Sequence, residues 1–159
     1  MNLWAGIYRL LGYKTFDELV AECNAGKRRG VGRRDRDRAI RLELALLPKS
    51  TRFPHEGEVW EATGAVDVSY TVWYAAPGSA SGQALLPAGE RVVCRSARPP
   101  CVRASFDPVR YTELRDHIVA AELRTGAYTG TYSLSIKTSE LNEHFRLIES
   151  PQSPPAGET

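Results

Sequence analysis

Residues 66–74 read VDVSYTVWY, and this stretch decides the fold class. Valine or tyrosine stands at every second position and alternates with Asp67, Ser69, Thr71 and Trp73. A period of two is typical of a half-buried β-strand, because successive side chains of a strand point to opposite faces of the sheet. The sequence therefore predicts a sheet, and this segment is its most clearly patterned strand.

Shorter strands are predicted on both sides of this segment, because apolar runs recur between glycine, proline and serine clusters. They lie at Glu58–Thr63, at Leu85–Arg95 with an interruption at 87–89, at Val102–Phe106, at Tyr128–Ile136 and at Phe145–Ile148. Residues 75–83 read AAPGSASGQ, and this small-residue composition favours a loop.

Helices are predicted mainly before the strands. Apolar residues recur at helical spacing through residues 2–24, and Thr15 with Glu18 fits a capping box inside this helical hairpin. Residues 35–47 fit a strand by their alternation and a helix by their composition, and the abundance of helix-forming residues favours the helix. A further helix is predicted from Asp107-Pro108 to Arg124, and one or two helical turns at Thr138–His144.

These elements predict an α+β fold, in which an N-terminal helical segment precedes a small antiparallel sheet. We expect a bent sheet or an open barrel with one embedded helix, and an SH3-like arrangement is one form of it. The expected organisation is a single domain over residues 1–149, mainly helical at 1–47 and β-rich at 53–149. Residues 150–159 hold no large apolar side chain, and we expect a disordered tail there.

The composition favours a cytoplasmic protein without membrane partners. No apolar run approaches the roughly 20 residues of a membrane-spanning helix, and the N-terminal residues lack the order of a signal peptide. The chain has three cysteines, Cys23, Cys94 and Cys101, and this low, odd number argues against a disulfide scaffold. We also expect no metal and no cofactor, because the paired Cys and His spacings of metal sites do not occur.

The most distinctive feature is a basic arm at residues 27–41. The chain has a net charge of +2, yet this arm holds eight basic residues and two aspartates, so the remainder is net acidic. Arginine binds phosphate through a planar bidentate fork, and such an arm is a hypothetical anion- or nucleic-acid-binding site. The alternative is a solvated segment whose cations pair with Asp35, Asp37 and other acids. The candidate residues are Lys27, Arg28, Arg29, Arg33, Arg34, Arg36 and Arg38.

A second candidate site is an aromatic recognition patch formed by Trp60, Trp73 and Tyr74. These side chains would form a patch if one face of their strands is uncovered, and burial on both faces is the alternative. The sequence matches neither of two common catalytic motifs. His55-Glu56 lacks the second histidine of a metalloprotease helix, and the nucleophile motif Gly-x-Ser-x-Gly does not occur.

These patterns favour a non-catalytic protein-binding or accessory module with a basic arm, and its expected partner is another protein. The alternative is a nucleic-acid-binding protein, or a small nuclease or toxin-like enzyme, that uses the arginine-rich segment. An enzyme acting on a small molecule also stays open. The sequence leaves the oligomeric state undetermined.

Overall fold

The computed structural model describes residues 2–73, 79–109 and 131–151. By their contacts, the residues form two compact units, Met1–Thr51 and Arg52–Thr159. We call them the helical unit and the sheet unit. Within the described ranges there are four helices and seven strands, and the α+β class is therefore confirmed. None of the described helices has the length and apolar character needed to cross a membrane.

The helical unit contains α1 (Leu3–Leu10), α2 (Phe16–Asn24) and α3 (Arg33–Leu46). Local capping fixes where the first two begin. The Asn2 side chain accepts from the Trp4 amide, and the predicted capping box at α2 is present, with Thr15 N donating to Glu18 Oε2 at 2.7 Å. Residues 35–47 fitted both a helix and a strand, and the helix is confirmed. Ala39, Leu42 and Ala45 are buried along one side of α3.

The described strands of the sheet unit are β1 (Val59–Ala62), β2 (Val66–Trp73), β3 (Ser79–Leu86), β4 (Arg91–Ser96), β5 (Arg103–Pro108), β6 (Thr131–Lys137) and β7 (Phe145–Glu149). They form an open antiparallel sheet in the order β3-β2-β6-β5-β4-β1-β7. A helix, α4 (Thr138–His144), joins β6 to β7, where helical turns were predicted.

Register gives the sheet one apolar and one polar face. Cys94, Phe106, Leu134 and Tyr70 stand opposite one another in turn across β4, β5, β6 and β2, and all four are buried in the core. On the other face a polar row crosses the same four strands and β3, one residue along from the apolar row except in β4, where a bulge places Ser96 two residues beyond Cys94. The members of this row are Ser96, Ser105, Ser135, Ser69 and Gln83. This alternation is what the period of two in residues 66–74 predicted.

Two predictions are wrong in part. Ser79–Gln83, predicted as loop, belong to β3, because their backbone pairs with β2 along its whole length. Cross-strand pairing here outweighs the low strand preference of small side chains. Asp107 and Pro108 were predicted to start a helix, but they end β5, where Asp107 stands opposite Val93. The predicted helical stretch 110–124 lies outside the described residues, as do most of the expected tail and part of the expected strand at 128–136.

Candidate functional site

The basic arm divides into cations that are bound within the helical unit and cations that face solvent. Arg28 belongs to the first group, since its Nε lies 3.1 Å from Glu22 Oε2 and its Nη1 lies 2.6 Å from Asp35 Oδ2. These ion pairs join the end of α2 to the start of α3. Glu22 also contacts Lys14, and the hydrogen bonds from Lys14 and then Arg28 hold the pKa of Glu22 below its ordinary value. Arg28 is therefore a structural residue of this unit.

Arg38 is also bound within the helical unit. Its guanidinium carbon lies 5.5 Å from the ring centroid of Tyr13, which is cation–π distance. Tyr13 in turn stacks on Tyr8 of α1, with 4.9 Å between the ring centroids. Arg38 thus helps pack α3 against α1 and the loop that follows it. Its side chain is partly buried in this contact, unlike that of a fully exposed phosphate-binding arginine.

The remaining arginines of α3 face solvent. Arg33, Arg34, Arg36 and Arg41 are all exposed, on the side of α3 away from its buried face. We call these four the outer arginines of α3. Asp37 stands among them, three or four residues from Arg33, Arg34 and Arg41. In the described parts of the chain, none of the four outer arginines forms an ion pair.

The loop before α3 also carries exposed cations, Lys27 and Arg29, and Gly32 caps α3 without a side-chain hydrogen bond. Because a helix rises 1.5 Å per residue, the outer arginines span about 12 Å along the axis of α3. Arg34 and Arg41 lie along one line of α3, whereas Arg34 and Arg36 are about 200° apart around its axis, so the four arginines form a broad positive surface.

The outer arginines oppose the dipole of their own helix. Arg33, Arg34 and Arg36 all lie near the N-terminus of α3, where the macrodipole is positive and acidic residues would be stabilising. Each cation in this position costs on the order of 0.3–1 kcal/mol. The helix dipole therefore gives no reason for three arginines here, whereas the binding of an external anion does.

Of the three aromatic candidates, the structure describes the side chain of Trp60. Trp60 lies in β1 with only 3% of its surface exposed, and it belongs to the core. Trp73 ends β2, opposite Ser79 and Thr131. Tyr74 lies outside the described residues. Trp60 is therefore buried, which is the alternative that the sequence left open.

Glu58 is a buried carboxylate just before β1. It accepts hydrogen bonds from Arg52 Nη2 at 3.1 Å, the His55 amide at 3.0 Å and Trp60 Nε1 at 3.2 Å. His55 Nδ1 lies 3.5 Å from Glu58 Oε1, the oxygen that also accepts from Arg52. The sequence carries a signal for this burial, since Glu58 and Trp60 are two residues apart and share a face of the strand. These donors compensate the buried charge and hold the segment before β1 against the sheet.

Glu61 is a second enclosed carboxylate, on the polar face of the sheet. In register it stands between Arg91 of β4 and Arg146 of β7. Arg91 Nε donates to Glu61 at 3.1 Å, and Arg146 binds the other oxygen at 3.0 Å through its Nε. The hydrogen bonds from Arg146 and then Arg91 lower the pKa of Glu61. This charge row ties three strands together, as cross-strand opposite charges do.

The cysteines are all free. Cys94 is buried, and Cys23 and Cys101 are partly exposed. Burial, with a smaller contribution from the negative charge of Glu58, raises the pKa of Cys94 to about 11. Its thiol is therefore protonated at neutral pH and acts as a core side chain.

The outer arginines remain the candidate site, because they are exposed and form no ion pair among the described residues. In the ranges that the structure describes, no three His, Cys, Asp or Glu side chains are placed to hold a metal ion. Comparison of the chain with protein-family models, with curated proteins and with solved structures gave no match.

Proposed function

We propose that this protein is a non-catalytic binding module whose outer arginines of α3 hold the sugar–phosphate backbone of a nucleic acid. The observation that supports it is the exposure of Arg33, Arg34, Arg36 and Arg41 on one helix, without ion pairs among the described residues. Guanidinium groups on a rigid helix keep a fixed spacing. They can therefore bind successive phosphates and release the counterions condensed on them.

The contacts of the other cations favour a role for the outer arginines in binding a polyanion over a charged surface without a ligand. Arg28 and Arg38 show how this unit treats a structural arginine: each is half-buried beside an acid or an aromatic ring. Among the described residues the outer arginines form no ion pair and no ring contact, although Asp37 lies three or four residues from three of them. They also lie where the helix dipole disfavours them, so their placement is better explained by a ligand than by folding.

Binding through this face should not depend on nucleotide sequence. The exposed side of α3 carries arginines, Asp37 and Ile40, and no aromatic ring that could stack on a base. Phosphate contacts position a protein on a nucleic acid without reading its bases. A single-domain organisation and an SH3-like sheet remain predictions, and neither is needed for α3 to bind a polyanion.

The test is a fluorescence anisotropy titration of the full chain with duplex DNA and with single-stranded RNA, over a range of salt. Four phosphate contacts predict a plot of log K against log salt with a slope of about −3.6 on duplex DNA and about −2.8 on single strands. Replacing Arg34→Gln and Arg41→Gln should reduce the steepness of the slope by about two, because each lost contact removes about one.

The matched control removes the same charge elsewhere. Arg98→Gln with Arg103→Gln changes two exposed arginines of the sheet unit, so both double variants shift the net charge from +2 to 0. The control should bind almost as the parent does. Undetectable binding at about 50 mM salt, a slope near zero, or equal losses in both double variants would each refute the proposal.

A further inference from the structure

The outward side of α1 is an apolar surface at the far side of the helical unit from the outer arginines. Leu3, Trp4, Leu10 and Leu11 are 77%, 57%, 89% and 65% exposed, and Ile7 between them is partly exposed. We call these five residues the α1 apolar face. Large apolar side chains are normally scattered singly on a monomer, and a contiguous set of them marks an interaction site.

The opposite side of α1 packs against α3. Ala5, on that side, has no exposed surface, and α1 and α3 are in contact along it. Arg9 is the charged residue of α1, and its Nη1 lies 2.7 Å from Glu18 of α2, away from the α1 apolar face. The apolar face therefore carries no charge of its own. It also points away from α3, whose arginines face the other way.

The positions of the α1 apolar face are symmetric about Ile7. Leu3 and Leu11 are each four residues from Ile7, and Trp4 and Leu10 are each three residues from it. A second α1 running antiparallel, with a two-fold axis at Ile7, would place Ile7 against its own copy and Leu3 against the partner's Leu11. Trp4 would then meet the partner's Leu10. A face that is its own complement under a two-fold rotation is what an isologous interface requires.

Gly6 lies beside this face and leaves room for close approach. It is exposed, and a Cβ placed on it would meet no atom within 4 Å. A glycine at a helix–helix contact lets two backbones come nearer than longer side chains allow.

We propose that the α1 apolar face binds a second copy of this chain, as an antiparallel helix pair with its two-fold axis at Ile7. An anionic lipid surface is the less suitable occupant, because the outer arginines point away from this face and could not contact the same surface.

The size of the face determines the kind of dimer. Two helices of eight residues bury less than the roughly 1,200 Å² of a stable interface, so the dimer should dissociate on dilution. The inference uses different residues from the proposed function and can hold without it. If both hold, a dimer carries two arginine-bearing helices, and nucleic acid that reaches both is bound with avidity.

The first test is sedimentation equilibrium of the full chain over a concentration series. We expect the mass to rise from that of one chain toward two with concentration. Ile7→Asp should keep the protein monomeric throughout, because the two-fold places two carboxylates in contact. Leu85→Asp is the control, since Leu85 is 58% exposed but lies in the sheet unit, and it should dimerise as the parent does. Circular dichroism of both variants checks that the fold is retained.

The second test addresses the geometry, in a background of Cys23→Ser and Cys101→Ser. Ile7→Cys should cross-link to its own copy with a short bis-maleimide, whereas Phe16→Cys, at a 42% exposed position of α2, should not. A chain that stays monomeric at every concentration overturns the proposal. So does a dimer that persists in Ile7→Asp, equal cross-linking at both positions, or a monomer that co-sediments with anionic vesicles through this face.

Discussion

Gly82 shows how a single residue can be fixed by its partner across the sheet. It stands opposite Tyr70, and the Tyr70 ring lies over it. A Cβ built on Gly82 would lie 2.6 Å from the Tyr70 Oη and 2.7 Å from its Cζ. Real side chains do not approach so closely, and the buried Tyr70 ring, 8% exposed, has little room to move.

Gly82→Ala should therefore destabilise the sheet unit, even though alanine is ordinarily the better residue inside a strand. We expect a loss of about 1–3 kcal/mol in the free energy of unfolding, the usual cost of overpacking. Urea denaturation of the purified variant measures it. Ser81→Ala, at the neighbouring exposed position, is the control and should change little. Equal stability of Gly82→Ala and the parent would show that the ring moves aside without cost.

At the scale of the element, the positive charges at the start of α3 should lower the stability of this helix. Replacing Arg33, Arg34 and Arg36 by glutamine removes three cations from the positive end of the helix dipole and keeps good helix formers. We expect this triple variant to unfold at an equal or higher temperature than the parent, with a gain in the free energy of unfolding of up to about 1 kcal/mol per replaced arginine. Arg28→Gln is the contrasting variant, because it breaks ion pairs to Glu22 and Asp35 and should lower the melting temperature. A lower melting temperature of the triple variant would mean that its arginines support the fold.

Elements set by local physics were predictable from the sequence. The capping box at Thr15 and Glu18 involves residues three apart, and its hydrogen bonds follow from the residue types alone. The alternation in β2 likewise gave its face assignment. In α3 the sequence pattern fitted both a helix and a strand, and composition was the better guide, because arginine, leucine and alanine are strong helix formers.

Elements set by distant partners were not predictable. Ser79–Gln83 read as a loop, since nothing in their composition favours a strand, yet pairing with β2 makes them part of β3. The same holds for the candidate site. The charge run marked the arm, but only the fold separates Arg28 and Arg38, bound by Glu22, Asp35 and Tyr13, from the outer arginines. Which cation finds an internal partner depends on tertiary contacts that composition does not contain.

At the scale of the whole molecule, each unit contains a carboxylate held by two cations. In the helical unit Glu22 binds Lys14 and Arg28, and in the sheet unit Glu61 binds Arg146 and Arg91. Both carboxyl groups have a pKa below the ordinary value of 4.5. Acid should therefore weaken both units, through separate and similar causes.

The direction of the pH effect follows from proton linkage. A glutamate whose pKa is lower in the folded state binds its proton more readily when unfolded. The stabilisation from these pairs is thus complete above about pH 4.5 and is lost as the pH falls through the folded-state pKa. Urea midpoints at pH 7, 5 and 3 should accordingly change little in the first step and fall in the second. The double variant Glu22→Gln with Glu61→Gln should be less stable than the parent at pH 7, and its decline between pH 5 and 3 should be smaller. If parent and variant lose the same stability over that interval, the acid sensitivity arises from other carboxylates, and these two ion-pair groups do not couple folding to pH.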